Sequence, residues 1–402
     1  MIKNKRQHGL FETEDLDDFE SEEDSKAAGS QMLSNVVIQD SDWTVETIIN
    51  QINKQNIDLS PRFQRRDAWT DERKSKFIES LFLGIPIPQI VLAQSKLHRG
   101  RFIIIDGKQR LLALKAFAGH SDRPPLILRG LTVRDDLNGL SWEKISGGGA
   151  RFDDADAFEN TTIRTTVIKG YETEDVLYTI YHRLNSGSVP LSPQELRHVL
   201  KPGPFIDFAF DFSETSRSFI KLFGKDDCPD FRMRDIEMLI RYFGLTEELP
   251  NYRGDLKSFL DLTVDELNTN WNILCFHVMH SAEECEMAIA ATLEIFGKHA
   301  FRKPKENGFE SRFNRAIYDI MVYYFSEPAI RKAAQEKGAE IISSFVELCR
   351  DMSFVRSIES TTKTTVALGT RLIKWGEALE RLLVLESQRL VQAKIAFGSI
   401  VS

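Results

Sequence analysis

Asp106, Gly107, Lys108, Gln109 and Arg110 stand consecutively in the stretch RFIIIDGKQRLLALKAF and bring a carboxylate, an amide and two cations to one point of the chain. Lysine and arginine next to a glycine suit the binding of an anion, a phosphate above all. The flanks say how such a point is built. Phe102 to Ile105 is a continuous apolar run, as in a strand covered on both faces, and Leu111, Leu112, Leu114 and Phe117 follow helical spacing. The polar residues therefore sit where a strand hands over to a helix. Gly107 can adopt a backbone angle closed to other residues, and the first N–H groups of the helix point outward without partners. Strand-glycine-helix corners are common, so an ordinary helix start with an exposed basic side remains open beside the anion site.

The surrounding elements must hold that corner in place. Residues 36–55 read as a short strand followed by a helix with Val45, Ile48, Ile49 and Ile52 on one side. Pro61 keeps Ser60 extended, placing Phe63, Gln64, Arg65 and Arg66 in a strand end or loop before Trp69. Thr70 and Asp71 cap a helix whose Phe77, Ile78, Leu81 and Phe82 face inward and which ends at Gly84. IPIPQIVLAQ follows as a strand. Residues 121–160, richer in Gly, Asp and Asn, read as an irregular excursion on the surface, and TTIRTTVIKG returns to the sheet. Glu174 to Leu184 is helical, Asn185 and Gly187 make a turn, and Ser192, Pro193 and Glu195 form a capping box that opens a further helix. Beyond about residue 202 strand signals fade and helical spacing dominates. The fold class expected is α+β: residues 1–35 an acidic disordered tail, 36–201 an α/β domain, and 202–402 a mostly helical domain.

Composition limits the function classes. The chain of 402 residues is 42% apolar and 28% charged, an ordinary globular balance. No run approaches the roughly 20 apolar residues of a membrane span, and the N-terminus lacks the apolar core of a signal peptide, so a cytoplasmic location is expected. Cys228, Cys275, Cys285 and Cys349 form no CxxC pair, and they read as small buried residues rather than a disulfide or zinc framework. Of the net charge of -8, residues 1–26 carry -5, leaving -3 for the rest. The acidic segment reads as a solubilising tail, or as a shield over a basic groove.

Several segments taken in order carry a resemblance: PRFQR and Trp69, SLFLGIPIPQIVL, IIDGKQRLLAL, YHRLNSGSVPLSPQELR, then RMRDIEMLIRYF and YRGDLKSFLD. Together they resemble the ParB-like family found as the N-terminal part of GmrSD-type modification-dependent restriction proteins, over residues 36 to 262. The hallmark of that family is Asp-Gly-Gln-Gln-Arg. Asp106, Gly107, Gln109 and Arg110 match it, and Lys108 replaces the first Gln, keeping a donor and losing the amide acceptor. The resemblance implies a ParB/sulfiredoxin-like fold that binds a nucleoside triphosphate, with Phe63-Gln64-Arg65 and Asp106 to Arg110 meeting across one pocket. It also implies a system that attacks modified foreign DNA under nucleotide control. Sulfiredoxin chemistry requires a cysteine at the phosphate loop, and none lies nearby here.

In hydrolysis Arg65, Lys108, Arg110 and the Gly107 N–H would neutralise phosphate charge, and Gln64 or Gln109 would orient water. Asp106 would hold Mg2+ or accept a proton. Asp106 and Arg110 with Gln64 are thus the catalytic candidates; Arg65, Gly107, Lys108, Gln109, Arg110 and Asn185 are the nucleotide-binding ones. Blander roles stand beside these: an Asx turn for Asp106, surface pairing of Gln64 and Arg65 with Asp67, a turn former in Asn185. No protein metal set is expected. His277 and His280, three apart, read as a structural pair on an amphipathic helix, so a His-Asn-His nuclease module is expected on a separate subunit. A non-catalytic module that binds nucleotide or DNA is the alternative function, and a ParB-like nuclease a weaker one. For DNA, Arg62, Arg65, Arg66, Arg73, Lys74 and Lys76 are the densest basic cluster.

Overall fold

A computed structural model of the chain describes residues 10–11, 35–57, 59, 67–96, 98–119, 124–147, 149–184, 192–224, 229–230, 232–359 and 362–401, without the side chains of residues 175 and 181–184. It divides into two compact units, one of residues 25–200 and one of residues 1–24 with 201–402. The architecture is α+β: a small sheet with its helices, followed by a mostly helical region.

The first unit is built on a sheet of four strands in the order β1-β4-β2-β3: β1 (Val37–Thr44), β2 (Ile90–Gln94), β3 (Phe102–Asp106) and β4 (Thr162–Lys169). β1 runs antiparallel to β4, β2 parallel to β4, and β3 antiparallel to β2 with a register shift at Val91 and Leu92. Because side chains alternate along a strand, Ile90, Leu92 and Ile104 enter one core while Val91, Ala93 and Ile105 enter another. The sheet is thus covered on both faces, as the continuous apolar run of β3 predicts. One face carries α1 (Val45–Asn53), α2 (Asp71–Phe82) and α3 (Lys108–Phe117); the other carries α6 (Glu174–Leu184) and α7 (Pro193–Leu200). Thr70 caps α2 by accepting from the Arg73 N–H at 3.3 Å, and Gly84 takes a left-handed φ of 62° after its end.

Residues 121–160 depart from the expected surface excursion. Leu126, Leu128, Leu131 and Leu137 are buried in the first core, as are Ile145 of α4 (Trp142–Ser146) and Phe158 of α5 (Phe152–Asn160). Their irregular spacing hid them: single apolar side chains from loops and short helices fill the space beside Phe82, Phe117 and Trp142, where Phe82 and Phe158 stack at 4.9 Å.

The second unit holds α8 (Pro204–Thr215), α9 (Arg217–Phe223), α10 (Arg234–Glu247), α11 (Leu256–Thr269) and α12 (Trp271–Phe296), then α13 (Arg315–Phe325), α14 (Pro328–Glu336), α15 (Gly338–Leu348), α16 (Met352–Glu359), α17 (Thr365–Leu383) and α18 (Gln388–Val401). The only strands among its described residues form a hairpin of two-residue strands, β5 (Pro304–Lys305) and β6 (Gly308–Phe309). Leu10 and Phe11 belong to this unit. The Leu10 N–H donates to the Lys221 carbonyl at 2.7 Å, and the buried Phe11 ring lies 5.0 Å from Phe313 under the Arg302 guanidinium. Among the described residues no helix is long and apolar enough to cross a membrane.

Candidate functional site

The corner from Asp106 to Arg110 takes the form its sequence predicts. β3 ends at Asp106, Gly107 turns the chain with a φ of 97°, and α3 starts at Lys108. Lacking a side chain, Gly107 gives the helix start no side-chain cap. The space above it is also taken. A Cβ on Gly107 would stand 3.1 Å from Ile90 Cγ1 and 3.2 Å from Arg110 Nη2, because the arginine folds back over the turn. Conformation and room both demand glycine here.

Arg110 returns to the strand end to hold it. Its Nη2 donates to Asp106 Oδ2 at 2.9 Å and to the Gln89 carbonyl at 3.0 Å, while Asp106 Oδ1 accepts the Gly107 N–H at 2.7 Å. The network continues across the sheet. Thr166 Oγ1 of β4 lies 3.3 Å from Gln89 Oε1 and donates to Asp40 Oδ1 of β1 at 2.6 Å. That hydroxyl, with Arg164, holds the Asp40 carboxyl below its ordinary value.

Lys108 turns to the other face and donates to Glu195 Oε1 at 2.5 Å. Glu195 also closes the capping box: its Oε2 accepts the Ser192 N–H at 2.6 Å, and its own N–H donates to Ser192 Oγ at 3.0 Å. The sequence foretold the box but not the ion pair. Neither Lys108 nor Arg110 therefore adds uncompensated charge to the corner, since each already holds a carboxylate. Two polar atoms are left over. Gln109 Oε1 and Arg110 Nε are buried and have no hydrogen-bond partner among the described residues, on side chains 9% and 5% exposed.

Gln64, Arg65 and Asn185, with Arg62, Phe63 and Arg66, lie outside the described residues. Asp67, the expected surface partner of Gln64 and Arg65, forms a buried pair with Lys74 at 2.5 Å. Lys74 is thereby withdrawn from the basic cluster, and Arg73 lies over the Trp69 ring at 4.9 Å. A cavity of about 760 Å3 is lined by Asp67, Lys74 and Lys115 and by residues 124–130, and its lining does not include Asp106 to Arg110. His277 and His280 on α12 are exposed, each beside a glutamate, and no group of three His, Cys, Asp or Glu side chains suited to a metal occurs among the described residues. Glu195, Gln89, Thr166 and Asp40 are the members of the network that sequence reading missed; the signal for Glu195 was a capping-box carboxylate with one oxygen to spare.

Residues 45–200 match the family model described as the N-terminal domain of the GmrSD restriction endonuclease. The match covers the sheet unit from α1 to the end of α7 and includes the whole corner. No curated protein and no solved structure gives a match.

Proposed function

We propose that the protein is the nucleotide-responsive component of a restriction or anti-phage defence system, and that the corner between β3 and α3 holds the phosphates of a nucleoside triphosphate. The family match to a restriction endonuclease domain supports the first part. The observation that carries the second is the buried donor Arg110 Nε, left without a partner among the described residues beside a helix start with no side-chain cap. A buried donor without a partner is costly, and a phosphate oxygen at the start of a helix satisfies the arginine where the helix dipole also favours an anion.

On this reading Arg110 serves twice: Nη2 fixes Asp106, and Nε faces the phosphate. Asp106, whose side chain is 21% exposed, is the corner's acid for a proton or a cation. Mg2+, if used, arrives with the phosphates, because the described residues supply no carboxylate cluster to hold it alone. Gln64, Arg65 and Asn185, read from the sequence as nucleotide contacts, are the further residues this reading calls on. A ParB/sulfiredoxin-like relationship fits this arrangement. The nuclease acts from another subunit, with DNA as the shared target.

One finding favours a second reading, a module that binds nucleotide or DNA without hydrolysis. Lys108 and Arg110 are both neutralised by carboxylates, which leaves little full positive charge for the charge that develops during phosphoryl transfer. Labelled triphosphate with Mg2+ decides. Phosphate release by the wild type that is lost in Arg110→Ala supports hydrolysis; saturable binding with no release above that variant leaves the binding module. No binding at all removes the corner from consideration.

A further inference from the structure

In the helical unit α10, α13 and α17 bring two buried guanidinium groups to one carboxylate. Arg241 donates through Nε and Nη2 to Asp319 at 3.0 and 2.6 Å, and Arg371 Nη2 donates to the same Asp319 Oδ2 at 3.0 Å. Arg371 directs Nη1 to the carbonyls of Ser357 and Thr362 at 3.2 and 2.5 Å. Its Nε has no partner among the described residues, although the side chain is only 4% exposed. Asp319 is thus shared by two guanidinium groups in a place that water reaches poorly. Burial, and Arg241 beside it, pull the Arg371 guanidinium below the ordinary arginine range. Glu237, a turn before Arg241 on α10, acts on Arg241 but does not line the cleft.

These groups face a cleft whose walls also carry Arg315, Lys363 and Tyr252. About 30 Å3 of it is open to water-sized atoms, room for the oxygens of one tetrahedral anion and none for a sugar or base. Its lining includes the cationic side chains of Arg241, Arg315, Lys363 and Arg371 and the Asp319 carboxylate. Arginine pairs around a phosphate supply forked donors to adjacent oxygens, and the free Arg371 Nε is such a donor. We propose that this cleft binds a single phosphate group, free in solution or at the end of a nucleotide whose remainder stays outside.

The full chain is titrated calorimetrically with inorganic phosphate and, separately, with ATP, against potassium chloride at matched ionic strength. In an Arg110→Ala background, which removes the corner's contribution, saturable heat with phosphate is expected to remain, to weaken at least tenfold when Arg371→Lys or Arg315→Ala is added, and to be unchanged by Arg350→Ala on the surface. Arg315 is half-buried at the cleft, so its variant keeps the test open should Arg371→Lys fail to fold. ATP binding that survives Arg110→Ala and falls in Arg315→Ala identifies a nucleotide as the source; phosphate binding alone identifies the free ion. Absence of saturable heat with either ligand, or equal affinity with and without Arg315→Ala in that background, overturns the site.

Discussion

Lys108 Nζ lies 2.5 Å from Glu195 Oε1, and the two side chains are 4% and 5% exposed. Since Glu195 Oε2 accepts the Ser192 N–H, the starts of α3 and α7 form one hydrogen-bonded unit across 87 residues of sequence. Breaking such a pair strands a buried charge, which costs about 3–5 kcal/mol, whereas removing both charges together can be nearly neutral. Lys108→Met is therefore expected to destabilise the sheet unit by roughly that amount, and Lys108→Met with Glu195→Gln to recover most of it. Lys108→Gln keeps a donor for Glu195 and should fall between. Urea unfolding of the four proteins followed by circular dichroism checks this. Equal losses in Lys108→Met and the double variant would show that the pair is not coupled.

Gly107 offers a separate handle on the corner. With φ at 97° and a Cβ position 3.1 Å from Ile90 Cγ1, Gly107→Ala is strained in backbone and in packing alike. A loss of about 1–3 kcal/mol is expected. Because the methyl group also meets Arg110 Nη2 at 3.2 Å, the Arg110–Asp106 pair must shift, so triphosphate binding should fall further than the loss of stability alone explains. Melting temperature and binding measured on one preparation separate the two effects; unaltered binding in a folded variant would detach the corner from nucleotide.

What could be read from the chain in advance follows how local each signal is. The end of β3, the glycine turn and the start of α3 rest on a dozen adjacent residues. The Thr70 cap and the Ser192-Glu195 box are equally local, and all of these form as expected. The Lys108–Glu195 pair and the Arg241–Asp319–Arg371 cluster join residues brought together by folding, with separations of 87, 78 and 52, and no periodicity records them. Helix α5 escaped for another reason. In FDDADAFEN one residue, Phe158, is buried, too few for an apolar stripe, and the preceding glycines suggested a loop.

Phe11 tests how firmly the first residues are held. Its ring is 3% exposed, edge-on to Phe313 at 5.0 Å and 4.6 Å beneath Arg302. Truncating a buried phenylalanine costs about 3–5 kcal/mol where the site cannot collapse. The expected result is release of residues 10–11 from the helical unit, with a lower melting temperature and faster proteolysis within residues 1–24. A cleavage rate in Phe11→Ala equal to that of the wild type would show that the ring anchors nothing.

Alkaline stability follows from the buried thiols. Burial pushes the Cys349 thiol from an ordinary value near 9 up to about 12, Lys303 nearby offsetting only part of it, and pushes the fully buried Cys285 up as well. A folded-state value raised above the unfolded one means that the native protein holds the proton more tightly. The corresponding stability is complete below pH 9 and is lost as the pH rises through 12. The melting temperature should therefore hold up to about pH 9 and decline above it, with a shallower decline in Cys349→Ala. Thiolate is the nucleophile, so at pH 8 iodoacetamide should modify Cys349 and Cys285 far more slowly in the native protein than in urea. Peptide mapping after brief alkylation reads both sites at once, and native Cys349 labelling at the urea rate would show that its thiol is not protected by burial.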